Sequence, residues 1–200
     1  MIRPRVVLFD LGNVLVHLRL ERFWDALHEP DAERRQRVGH ELREMGKVYE
    51  GGKMTTEEFR REAAKIVGNA PLAAVERAFL GVLPEPVEGM EEVVRKVAEQ
   101  ASTALVSNTN PLHFHHCLRT TPSLRHLRRF YLSYELKALK PDRAFYEGIV
   151  RGEGIEPSSM LFIDDLPENI EGAIRAGMQG VVFTGVKNLQ DELLLRGLGV

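Results

Sequence analysis

Three short apolar runs in this chain each stop at an acid or at hydroxyl- and amide-bearing residues. Arg5-Val6-Val7-Leu8-Phe9 runs into Asp10, Thr103–Val106 into Ser107-Asn108-Thr109-Asn110, and Met160–Ile163 into Asp164-Asp165. A run of four or five residues without polar alternation is how a strand reads when both of its faces are covered, as they are in a parallel sheet. Two further runs, at 130–134 and 180–183, read as strands. Helical spacing fills the intervals, over 87–100, 111–119, 141–152, 168–177 and 191–196. Strands that alternate with helices predict an α/β fold: a Rossmann-like, doubly wound parallel sheet.

One long stretch breaks the alternation. Between about residues 20 and 83, segments 21–28, 31–45, 55–67 and 72–80 carry helical spacing and many charges, with no convincing strand. Thr55 and Glu58 stand at capping-box spacing, and Gly51-Gly52 and Gly68-Asn69-Ala70-Pro71 separate helices. Pro84-Glu85-Pro86 reads as the seam back. The expected organisation is a core of residues 1–18 and 85–200 with a small all-helical domain, 19–84, inserted into it.

Charge limits the partners. With 27 basic and 29 acidic residues the formal net charge is −2, which argues against nucleic acid or an anionic membrane. A small anionic metabolite stays compatible, because one pocket can be positive on a neutral protein. The single cysteine, Cys117, forms no internal disulfide and fits a reducing cytoplasm. Asp10 interrupts the N-terminal apolar run and no small-residue cleavage site follows, so a secretory signal is not read there. A cytoplasmic protein is expected.

Ligands of such sheets bind in the crevice at the carboxyl ends of the strands. Asp10, Ser107-Asn108 and Asp164-Asp165 all fall there, and Lys140 precedes Pro141 at the entry to a helix. A carboxylate can attack phosphorus, provided positive charge offsets the repulsion between the two anions. Mg²⁺ on oxygen ligands supplies such charge, a lysine neutralises phosphate oxygens, and a hydroxyl with backbone N–H groups binds them. Taken singly, each residue has a blander reading: turn, helix cap or solvated loop charge. Their joint placement at strand ends and a helix entry, in order, favours the chemical reading.

Four segments carry a resemblance: Phe9-Asp10-Leu11-Gly12-Asn13-Val14-Leu15, Ser107-Asn108-Thr109-Asn110, Lys140-Pro141 and Phe162-Ile163-Asp164-Asp165-Leu166-Pro167-Glu168-Asn169. Together they resemble the ordered motifs of haloacid dehalogenase-type hydrolases. The wording is similar to that of bacterial α-D-glucose-1-phosphate phosphatases, a subgroup with a small helical cap. The resemblance implies Asp10 as nucleophile and metal ligand, with the Gly12 carbonyl as a second ligand. It implies phosphate contacts from Ser107 and Asn108, and Lys140 paired with phosphate and Asp10. Asp164 and Asp165 would hold Mg²⁺, and Asn169 would support them. The implied activity is Mg²⁺-dependent hydrolysis of a small phosphomonoester, with a sugar phosphate such as glucose 1-phosphate as the leading expectation.

The chain departs from the family pattern at one place. Most phosphatases of the superfamily carry a second Asp two residues after the nucleophile, as acid and base; here Gly12 stands there, and neither it nor Asn13 can shuttle a proton. A sugar anomeric oxygen leaves readily enough to need less acid. His17 is a nearby candidate substitute, but a place on the hinge into the helical insertion is the favoured reading of it. The 2-haloacid dehalogenases also lack the second Asp but need no Mg²⁺, whereas paired Asp164-Asp165 favours metal. A degenerate binding or regulatory protein is the remaining alternative.

Other clusters read more plainly. His113, His116 and Cys117 share a helix face and could ligate zinc, but helix packing after a phosphate-binding motif explains them better. Arg119, Arg125, Arg128 and Arg129 read as a solvated surface. Phe23, Trp24 and Leu27 read as packing inside the helical insertion, and Leu193-Leu194-Leu195 as packing against the sheet.

Overall fold

The structure, a computed structural model, describes residues 2–200. Five strands form one parallel sheet in the order β3-β2-β1-β4-β5: β1 (Val6–Phe9), β2 (Ser102–Ser107), β3 (Arg129–Leu132), β4 (Met160–Asp164) and β5 (Gln179–Val182). The order reverses between β1 and β4, where doubly wound sheets open a crevice. Phe9 pairs with Leu105 on one side and with Ile163 on the other. That register brings Asp10 level with Asp164.

Strand parity explains the unbroken apolar runs. Val7, Phe9, Leu105, Leu161 and Ile163 point to one face, against α5 (Met90–Ala98), α6 (Pro111–Thr120) and α10 (Val186–Leu195). Val6, Leu8, Ala104, Val106, Met160 and Phe162 point to the other, against α8 (Arg143–Glu153) and α9 (Pro167–Arg175). Both faces are covered, so both sets must be apolar.

The stretch after β1 is helical: α1 (Glu21–Ala26), α2 (Ala32–Glu50), α3 (Thr56–Ile66) and α4 (Leu72–Gly81). The Thr55 hydroxyl accepts from the Glu58 N–H at 3.2 Å while the Glu58 carboxylate accepts from the Thr55 N–H at 2.8 Å. Tyr49, Phe59, Ala63, Ala64 and Val75 make a small core of their own. Where this stretch leaves and rejoins the sheet domain, the two connections bond to each other. The His17 N–H donates to Glu85 O at 2.9 Å, the Arg19 N–H to Val82 O at 2.8 Å, and the Val87 N–H to Leu15 O at 3.0 Å.

Several boundaries differ from the sequence reading. Helix α2 does not stop at Met45 but runs on to Glu50. Tyr49 there is buried, stacks on Phe59 at 4.5 Å and bonds the Thr56 hydroxyl at 2.7 Å, and this burial outweighs the poor helix propensity of Gly46. The third strand ends at Leu132, because the Ser133 hydroxyl accepts from the Thr109 N–H at 3.0 Å and the chain turns into α7 (Ser133–Leu136). Helix α10 starts at Val186 rather than Asp191, anchored by buried Leu189 and Leu193. Of the leucine triplet only Leu193 packs inward, since Leu194 and Leu195 are 65% and 66% exposed. Among the described residues, no helix is long and apolar enough to cross a membrane.

Candidate active site

The crevice gathers the polar strand ends. Asp10 follows β1, and its N–H donates to Ile163 O at 2.9 Å, continuing the ladder by one residue. Asp164 ends β4. Its Oδ1 accepts from the Leu166 N–H and from Asn169 Nδ2, both at 2.9 Å. Asn169 sits in the first turn of α9, where an amide can reach back to the preceding strand end.

Lys140 lies between the two acids. Its Nζ donates to Asp10 Oδ1 at 2.7 Å, to Asp164 Oδ2 at 2.6 Å and to Val106 O at 3.2 Å. All three ammonium protons therefore have acceptors. Asn108 fixes the lysine from the main chain: its Oδ1 accepts from the Lys140 N–H at 2.8 Å and its Nδ2 donates to Lys140 O at 3.0 Å. The side chain expected to bind phosphate is thus committed to positioning Lys140. Ser107 is buried at the end of β2, on the same rim.

Asp165 completes the acidic set. Its Oδ2 accepts from Asn13 Nδ2 at 2.9 Å, and Asn13 holds the left-handed conformation at φ 54°. Asn is one of the few residues that adopts this readily. The Asn13 role escaped the sequence reading, although Asn beside Gly in a turn is the signal for such a conformation. One oxygen each from Asp10, Asp164 and Asp165 lie within 4.8 Å of one another, the only grouping of three such ligands among the described residues. His113, His116 and Cys117 form no such group. Instead His113 Nδ1 accepts from Asn110 Nδ2 at 3.2 Å and its Nε2 donates to Phe79 O at 2.9 Å.

The charge balance is unequal: three carboxylates face one ammonium. Burial pushes Asp10 up to about 7, with Lys140 lowering it and Asp164 raising it. Burial pulls Lys140 down, but Asp10 and Asp164 outweigh it and hold the ammonium above its ordinary value. Oxygen donors with excess negative charge, confined to one small volume, fit a hard divalent cation.

A cavity of about 390 Å³ rises from Gly12, Ser107 and Asn108 into the helical insertion. Its walls are largely apolar and include Phe23, Trp24, Leu42 and Phe79, so Trp24 faces the cavity as well as its helix neighbours. Glu50, on the unforeseen last turn of α2, is the one carboxylate among its lining residues. His17 lies at the junction, its N–H bound to Glu85 O, and is not among them.

A family model for haloacid dehalogenase-like hydrolases matches residues 4–177. The chain belongs to that family. It is 25% identical over 174 residues to the D-ribitol-5-phosphate phosphatase of Bacteroides thetaiotaomicron, a match covering 82% of this chain and 84% of that one. A magnesium complex of a HAD-family enzyme from the same organism superposes with TM-score 0.81 at 25% identity, covering 92% of this chain and 94% of that one. The L-2-haloacid dehalogenase of Xanthobacter autotrophicus shares the fold, with TM-score 0.65 at 18% identity over 98% of this chain and 82% of that one.

Proposed function

We propose that this hydrolase is a Mg²⁺-dependent phosphatase of small phosphomonoesters, with residues 19–84 acting as a cap over the strand ends. The observation that carries the reading is Lys140 held between Asp10 and Asp164, with Asp165 completing a cation-sized acidic set beside Ser107. Asp10 Oδ2 is the attacking atom, since Oδ1 is bonded to Lys140. Asp10, Asp164 and Asp165, with the Gly12 carbonyl, would hold Mg²⁺, which supplies the positive charge that lets two anions meet. Lys140 fixes the Asp10 rotamer and neutralises charge on the transferring phosphoryl group, while Ser107 and nearby main chain bind its oxygens. Water then hydrolyses the aspartyl phosphate and frees inorganic phosphate.

The proposed substrate class is a sugar or polyol phosphate. The similarity to a ribitol-5-phosphate phosphatase supports it, and glucose 1-phosphate remains one member of the class to test. Two further acids beside the nucleophile, Asp164 and Asp165, favour this reading over halide displacement, which needs no cation. The test is phosphate release from a panel of sugar, polyol and aryl phosphates, with and without Mg²⁺, beside Asp10→Asn. Mg²⁺-dependent release that Asp10→Asn abolishes is expected. Release that survives Asp10→Asn would remove Asp10 as nucleophile, and no release from any ester would remove the phosphatase reading.

A further inference from the structure

A primary alkoxide is a poor leaving group, and the position that supplies its proton in most relatives is Gly12. The backbone does not impose that glycine: a Cβ there would meet nothing within 4 Å. A side chain that takes over this role must reach the same cavity. Of the charged groups lining it, Arg43 and Lys47 are exposed, and neither is an acid at neutral pH. His113 has both ring nitrogens engaged, by Asn110 and Phe79. Glu50 is left.

We propose that Glu50, reaching down from the last turn of α2, gives and takes the proton that Gly12 cannot. The inference rests on the phosphatase reading above. Three observations place the residue. It lines the cavity whose floor is Gly12, Ser107 and Asn108. It lies near enough to Lys140 for the ammonium charge to act on it. Unlike Asp164 and Asp165, it makes no hydrogen bond or ion pair through its carboxylate among the described residues, so the group is not committed elsewhere. Burial, opposed by Lys140, pushes it up to about 7, which leaves a protonated fraction at neutral pH.

The step balances. The bond between Asp10 Oδ2 and phosphorus forms as the phosphorus–oxygen bond to the leaving group breaks, and the Glu50 proton passes to the departing oxygen. The Glu50 carboxylate then takes a proton from the water that attacks the aspartyl phosphate. Asp10 and inorganic phosphate are released, and Glu50 is again the acid. Gly46, one turn before Glu50 on α2, lines the same cavity, so this face of the helix is turned toward it.

The test compares kcat/KM of wild type and Glu50→Gln, with Mg²⁺, on 4-nitrophenyl phosphate and on the alkyl phosphate that wild type hydrolyses best. The nitrophenolate leaves without help; the alkoxide does not. Glu50→Gln should lose about 10²- to 10⁴-fold on the alkyl phosphate and less than about tenfold on the aryl phosphate. The retained aryl activity reports that the variant is folded. If Glu50→Gln is unstable, Glu50→Asp, which keeps the acid but shortens its reach, should show the same selective loss. An equal loss on both esters would make Glu50 a structural or substrate-binding group, and no loss on either would exclude it from the reaction; both overturn the proposal. Wild type inactive on every ester overturns the phosphatase reading and Glu50 with it, whereas active wild type with an indifferent variant overturns Glu50 alone.

Discussion

Replacing Lys140 by Met removes one charge from a buried trio while keeping most of the volume. The Lys140 and Asp164 side chains are 2% and 0% exposed, and Asp10 is 11% exposed. At 2.7 and 2.6 Å, each ion pair has a gross attraction of about 6 kcal/mol at an effective dielectric of ~20. Desolvation of the three ions offsets most of this, so the intact trio contributes little net stability. Its rupture is another matter, because two carboxylates then share a dry site without a counter-charge, and breaking such an arrangement costs about 3–5 kcal/mol. Millimolar Mg²⁺ should return much of that loss, since a dication bound by Asp10, Asp164 and Asp165 neutralises the same oxygens. The assay is urea unfolding of wild type and Lys140→Met, each with and without Mg²⁺. A loss below about 1 kcal/mol without metal, or a loss that Mg²⁺ leaves unchanged, would refute this account of the site. Phosphate release by the variant should fall by at least about 10²-fold.

Other outcomes follow from local geometry. Gly172→Ala should destabilise by about 1–3 kcal/mol in urea unfolding, despite the better helix propensity of Ala. Its Cβ would stand 2.6 Å from Tyr146 Cε2, and the Tyr146 hydroxyl donates to Asn169 O at 2.6 Å, so the strain reaches the residue that holds Asp164. Thr55→Ala should cost about 1 kcal/mol through loss of the α3 cap, read by thermal melting. His113 should give the fold an acid-labile part. Burial first, and His116 beside it, bring it down from 6.5 to about 4, against the bond to Phe79 O that raises it. Its folded value lies below its unfolded one, so stability is full above pH ~6.5 and falls toward pH ~4, by up to about 3 kcal/mol. The stability difference between wild type and His113→Gln, followed by urea unfolding across that range, should shrink by that amount as pH falls; a constant difference would contradict it.

How far the sequence disclosed the site depended on what each residue answers to. Asp10, Ser107, Asp164 and Asp165 end strands, and a buried parallel strand announces itself by an apolar run that stops. Lys140 was legible from its order among them. The parallel, doubly wound class of the sheet followed from alternation, while its strand order did not. Glu50 was hidden because its place depends on Tyr49 stacking on Phe59, a contact between two helices that carries α2 past Gly46. No local pattern encodes that contact. The Asn13 bond to Asp165 spans 152 residues, and the reciprocal bonds of Asn108 to the Lys140 main chain span 32. In both, a side chain that reads as turn or phosphate chemistry was given another partner by the fold.

The two connections that bond to each other at His17, Arg19, Val82, Glu85 and Val87 have a consequence for descent. The insertion leaves the sheet domain and returns to it at one place, so its ends are already together whatever lies between them. Lengthening such an excursion adds only about 0.6 kcal/mol of closure entropy for each doubling. A lineage could therefore replace the helices between these anchors by a longer or shorter set while Asp10, Ser107, Lys140 and Asp164 stayed in register. On the proposed reading, the reacting centre and the chamber above it are therefore separable parts of the chain. In this chain Glu50 is the one proposed participant that would be lost in the exchange.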